Sequence, residues 1–187
     1  MSESRVGKGL AVELEPGITR LTLGVAATAA AFNSEAPIPI LEGPDNGLYA
    51  RLCQLATSLG EVVADDDTLT GDILKDGRRG LRRRMYAGMT MFVKQGSPLE
   101  MTATLAHEHG HRYTDDVYDM EGCIVSETVA DGSAFVVCDH FGLDISERSF
   151  PFIAGYNKGE FTAEMLDGIR TAATDIIQGL NRQEQTP

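Results

Sequence analysis

Residues 107–111 read His-Glu-His-Gly-His and hold three of the chain's four histidines. On a helix, His107 and His111 stand four residues apart, so their imidazoles share a face and can converge on one metal ion. Glu108 lies about 100° round the helix from His107, beside such an ion rather than on it. There a carboxylate can take a proton from an activated water and pass it on. The pattern His-Glu-x-x-His therefore carries two ligands and a general base on one rigid element. His109 is two positions from each ligand and points to the opposite side, where it is expected to pack or to hydrogen-bond.

A catalytic zinc site takes a third protein ligand and keeps a fourth position for water. Sixteen residues after His111, the stretch SETVADGSAFVVC (126–138) puts Glu127 and Asp131 at i, i+4 on a second predicted helix. Glu127 is the expected third ligand. Asp131, one turn along, is expected to accept the outer ring N–H of a ligand histidine and fix its tautomer. The small residues Ala130, Gly132, Ser133 and Ala134 would let the two helices approach closely. Tyr113 and Tyr118, just past the histidines, are candidate donors to an oxyanion. Cys123 and Cys138 match no metal-pair spacing and read as core residues.

These side chains need elements to hold them. Ser97-Pro98-Leu99-Glu100 is a helix start, with Ser97 as N-cap, Pro98 in the first turn and Glu100 completing a capping box. The second helix is predicted from Ile124 to about His140, stopped by Gly142, after an acidic loop over 114–123. Upstream, Pro16 opens an Ala-rich helix ending near Asn33, and residues 34–47 form a Pro- and Gly-containing loop. Leu48, Leu52, Leu55 and Leu59 recur at helical spacing until Gly60. Residues 64–80 are a long polar connection, and 81–96 are two short strands about Ala87-Gly88. Met165, Ile169, Ala172, Ile176 and Leu180 mark a last amphipathic helix capped by Thr162. The expected fold is α+β: a mostly helical single domain over 1–187, with a small β-sheet and a zincin-like helix pair. Residues 1–15 are expected to be mobile.

Length and charge narrow the partners. A chain of 187 residues builds one core comfortably. A net charge of −12 argues against a surface devoted to phosphate backbones, where Lys and Arg supply the affinity. The run KDGRRGLRRR (75–84) packs six cations into ten residues. It could grip nucleic acid or an acidic partner, but a solvated loop and charged strand edge is the favoured reading. Three widely spaced cysteines suggest no disulfide framework and a reducing compartment. The apolar run 21–32 is too short to span a bilayer and starts too late for a signal peptide, so it reads as a buried helix. The expected location is cytoplasmic, with no membrane partner.

The stretches TLAHEHGH (104–111) and ETVADGSAFVVCDHFGLDISERSFPFIAGY (127–156) resemble the ImmA/IrrE family of zinc metallopeptidases. Within it, they are most similar to the branch of the ArdC antirestriction proteins of mobile elements. The resemblance covers residues 85–157 well and the last helix more loosely, and residues 1–60 carry no matching motif. It implies Zn2+ as cofactor, His107, His111 and Glu127 as ligands, Glu108 as catalytic acid/base, and a regulator or defence protein as substrate. Many members place a glutamate directly before the Ala-Asn/Asp pair, where this chain has Val129, so Asp131 also stands as a third-ligand candidate. ArdC proteins also carry a separate N-terminal single-stranded-DNA-binding domain; here the N-terminal part is short and the chain acidic, so DNA binding is not carried over from the resemblance. The expected function is a zinc-dependent metalloendopeptidase cutting a specific protein. The alternative is a non-catalytic antirestriction or regulatory binding protein in which the metal only staples two helices.

Overall fold

The Ala-rich run beginning at Pro16 folds as helix α1 (Pro16–Ala31), which buries Ile18, Leu21 and Val25 on one face. It is a core helix, and among the described residues no helix is long and apolar enough to cross a membrane. The computed structural model describes residues 16–31, 39–65, 73–74, 78–114 and 120–183. The expectations for residues 1–15, Asn33, Lys75 and Tyr118 lie outside them.

Helix α2 (Leu48–Ser58) buries Leu48, Leu52 and Leu55 and ends as predicted at Gly60, whose φ of +74° suits glycine. Leu59 falls beyond that helix and is largely exposed. Three strands follow: β1 (Val62–Ala64), β2 (Gly80–Met85) and β3 (Gly88–Val93), in the spatial order β1-β3-β2. Strands β2 and β3 are the predicted hairpin, paired from Gly80↔Val93 to Met85↔Gly88. Strand β1 was not expected. It runs parallel to β3, Val62 opposite Thr90 and Ala64 opposite Phe92, between the helix stop at Gly60 and the polar connection that begins at residue 64. Central strand β3 buries Thr90, Met91, Phe92 and Val93.

Helix α3 (Pro98–Gly110) carries His107 and His109, with His111 at its C-cap, and its buried span from Glu100 to Ala106 makes it an interior helix. Ser97 caps it, accepting from the Glu100 N–H at 3.1 Å. The reciprocal half of the capping box is replaced. The Glu100 carboxylate instead accepts from the Leu41 N–H (2.8 Å), from Arg79 (2.9 Å) and from Arg148 (2.9 Å). A buried carboxylate with two guanidiniums in reach gains more from charge-assisted bonds than from its own helix end.

A short 3-10 turn (His111–Tyr113) leads out of α3, and helix α4 (Met120–His140) begins four residues earlier than predicted. Helix α4 is apolar nearly all round, with Val129, Ala130, Ala134, Phe135, Val137 and Cys138 buried. Such a helix belongs in the middle of a fold. It packs on α1, α3, α5 (Ser146–Asn157) and α6 (Ala163–Gln183). At Gly110 a Cβ would stand 2.7 Å from the Ala130 Cα and 2.6 Å from the Ser133 Oγ. The two site-bearing helices therefore touch at their backbones, through the small residues the sequence suggested. Helix α6 buries the predicted stripe, and Thr162 caps it by accepting from the Met165 N–H at 3.1 Å. The architecture is six helices and a three-stranded sheet among the described residues, a mostly helical α+β fold.

Among the described residues of 75–84, two arginines pair with buried acids. Arg82 pairs with Glu61 at 2.9 Å, both side chains buried, and Arg79 pairs with Glu100. Arg112 also reaches Glu61. Burial alone would raise the Glu61 carboxyl, but the Arg82 bond and the charges of Arg82 and Arg112 hold it below its usual value. A depressed carboxylate stabilises the fold above its unfolded pKa and loses that contribution as pH falls through the folded value. Glu61→Ala is therefore expected to cost about 3–5 kcal/mol at pH 7. The gap to wild type should narrow under acid, read by urea unfolding across pH. A gap that stays constant into the acid range would mean that the charge of Glu61 is not what matters.

Candidate metal centre

Helices α3 and α4 bring the predicted residues together at one end of their contact. His107 and His111, one turn apart, aim their Nε2 atoms inward, 3.0 Å from each other. Glu127 of α4 stands opposite them. Its Oε2 lies 3.4 Å from the His107 Nε2, and its Oε1 lies 3.8 Å from the His111 Nε2. The ligand atoms of His107, His111 and Glu127 all lie within 4.8 Å of one another.

Each imidazole is held from behind. The His107 Nδ1 is 3.1 Å from Asp131 Oδ1, and the His111 Nδ1 is 3.1 Å from Ser126 Oγ. Ser126 in turn lies 2.7 Å from Thr114 Oγ1. Asp131 thus takes the supporting position that its spacing from Glu127 suggested, and the geometry puts Glu127, not Asp131, beside both Nε2 atoms. Ser126 and Thr114 were missed. A serine next to Glu127 and a threonine three residues past His111 carry no periodic signal, and only the fold unites them.

Glu108 is buried and reaches strand β2. A Cβ on Gly80 would stand 2.4 Å from its Oε1, so the carboxylate lies directly on the strand backbone, where the Arg82 N–H donates to it. Its Oε2 is buried with no hydrogen-bond partner among the described residues, as is Asp131 Oδ2.

The donor set fits a divalent cation. Three carboxylates, from Glu108, Glu127 and Asp131, surround two imidazoles whose inner nitrogens face each other. Burial alone would lower the His107 pKa, yet Asp131, Glu127 and Glu108 together push it up to about 10. Burial, reinforced by Glu127, pushes Glu108 up to about 7. The His107 shift expresses a demand for positive charge beside these carboxylates, which a metal ion would supply in place of a proton. Two nitrogens and one carboxylate oxygen are the ligand chemistry of a catalytic zinc site.

His109 has the predicted bystander role. It is buried on the far side of α3, where its Nε2 meets the Leu52 carbonyl at 3.1 Å. Burial pushes its pKa down to about 4, so it is the neutral Nε2–H tautomer donating to that carbonyl. Tyr113 turns to Asp175 of α6 and is not among the residues lining the site. Of the cysteines, Cys138 is in the core as expected, whereas Cys123 is exposed near the start of α4.

The centre opens into a cleft of about 630 Å³ between β2, α3, α4 and α5. Its outer wall comes from α5, which no sequence pattern announced: Arg148, then Phe152 and Tyr156 with rings stacked 6.3 Å apart. Tyr156 is the tyrosine that faces the cleft, and burial together with the nearby Glu127 and Asp131 charges pushes it up to about 12. Exposed Arg78 lies at the rim. No protein-family model, no curated protein and no solved structure matches the chain.

Proposed function

We propose that the protein is a zinc-dependent endopeptidase that cuts a specific protein target. One observation carries this reading. His107, His111 and Glu127 converge three ligand atoms, while Glu108 stands outside that set, lines the same cleft and has one buried oxygen without a partner among the described residues. An ion that merely stapled α3 to α4 would take a closed set of four protein ligands, and it would need neither Glu108 nor a cleft. The resemblance to the ImmA/IrrE metallopeptidases and their ArdC-like branch points the same way, and to a regulator or defence protein as the target.

When bound, zinc would supply a Lewis acid that polarises a peptide carbonyl and lowers the pKa of a water it coordinates. The chain's own residues do the rest. Asp131 and Ser126 hold the two imidazoles with Nε2 inward. Glu108 Oε2 takes the proton of the attacking water and delivers it to the leaving amine nitrogen, a role that requires a fixed carboxylate. The Arg82 N–H and the bare backbone of Gly80 fix it.

Gly80→Ala tests that positioning. The added methyl must displace the Glu108 carboxylate or Thr104, whose Cγ2 would stand 2.6 Å away. Zinc content should be unchanged, and turnover should fall by about 100-fold, the scale of a misplacement near 1 Å. Unchanged turnover would mean that Glu108 needs no such seat. The reading as a whole is tested by capturing a target on Glu108→Gln protein and asking whether wild type cleaves it.

A further inference from the structure

Arg148 sits on the cleft wall in a manner that packing does not require. Its side chain is 6% exposed, and three bonds hold it: to the Glu100 carbonyl (3.3 Å), Glu100 Oε1 (2.9 Å) and Thr104 Oγ1 (2.9 Å). All three run through Nη1. The Nε–Nη2 edge of the fork has no protein partner among the described residues, and neither atom is sealed in. Arg148 lines the same cleft as His107 and Glu108. A guanidinium pinned by one nitrogen, its opposite edge turned to a cavity, is a preformed two-pronged donor. In partly desolvated surroundings its charge counts for more than that of a surface arginine.

From this geometry we infer that Arg148 is the anchor for a substrate carboxylate, so that the cleft selects peptides carrying an acidic group close to the cut bond. The fork geometry matches a carboxylate with two parallel N–H···O bonds. Thr104 fixes the level: it lies one turn, about 6 Å, before Glu108 on α3, and the two side chains meet beside Gly80. The guanidinium bonded to Thr104 is therefore within about one to two residues of substrate from the catalytic carboxylate, at about 3.8 Å between Cα atoms. The carboxylate can belong to an Asp or Glu side chain or to a chain terminus. The Phe152 ring lies 6.0 Å from the Arg148 guanidinium and limits its swing. The choice of substrate rests on the peptidase reading above. The binding itself does not.

The test uses three acetylated tripeptides on the purified full chain, zinc-loaded and after chelation. They are Ala-Gln-Ala amide, Ala-Glu-Ala amide, and Ala-Gln-Ala with a free C-terminus. Binding is followed by NMR at the Arg148 Nε–H, assigned through its own side chain. At least one carboxylate peptide should bind about 10-fold or more tightly than the neutral amide and shift that signal, in both metal states. Whichever peptide does so identifies the source of the carboxylate. Arg148→Lys keeps a cation for Glu100 but has no second edge, so it should stay folded and lose the preference. If that variant does not fold, the wild-type Nε–H shift decides alone. Equal affinity for the three peptides overturns the proposal, as does an unmoved Nε–H signal. A preference that survives Arg148→Lys, or that needs zinc, overturns it too. A chain that keeps the preference yet binds no zinc would sink the peptidase reading instead.

Discussion

Replacing His107 with alanine is expected to abolish stoichiometric zinc binding, and Glu127→Ala is expected to do the same. The two inner nitrogens are 3.0 Å apart, and Glu127 reaches both from the facing helix. No other group among the described residues is arranged to take over either place. Asp131→Asn should behave differently. Asp131 touches only the outer nitrogen of His107, so its loss should weaken zinc by about 10–100-fold while leaving a measurable site. Elemental analysis after dialysis against a graded series of chelators separates the three. The reverse pattern, with full zinc in Glu127→Ala and none in Asp131→Asn, would exchange the roles of the two acids. Zinc retained by His107→Ala at wild-type affinity would remove the centre altogether. Because ligands must lose protons to bind metal, the affinity of the intact site should also fall as pH drops.

What the sequence made legible was local or periodic. The cap at Ser97, the leucines of α2, the hairpin about Ala87-Gly88 and the stripe of α6 each occupy one segment and follow one rule. The grouping of His107, His111 and Glu127 was legible for the same reason, since i, i+4 pairs on two helices define two faces and small residues bring those faces together. The missed features depend on distant partners. Strand β1 is three residues long and exists because β3 lies beside it. Helix α5 carries Pro151 in its interior, which reads as a break until its contacts with α1 and α4 are known. Glu100 looked like a cap because its neighbours in sequence suggested one, whereas Leu41, Arg79 and Arg148 claim its carboxylate. The basic run 75–84 divides along the same line. Arg82 and Arg79 turn inward to acids far away in the chain, Arg78 reaches the rim of the cleft, and Arg83 and Arg84 stay exposed.

Glu108→Gln separates a catalyst from a staple. Glu108 is a neighbour of the ligand set and not a member of it, so the amide should leave zinc at wild-type stoichiometry. Glutamine has nearly the same shape, and its carbonyl oxygen can still accept from the Arg82 N–H against Gly80, so the fold should be little disturbed. Only the ability to take and return a proton is lost. A general base contributes about 10²–10⁴-fold, and cleavage of the true target should fall by that order. The same variant is the tool for finding the target, because it keeps the cleft and the metal while leaving the bond uncut. Partners retained by Glu108→Gln protein and released as fragments by wild type are the expected result. Equal cleavage by the two proteins would remove Glu108 from the mechanism. A wild type that holds its partner without cutting it, with a biological effect that survives the substitution, would make the centre a structural clasp between α3 and α4.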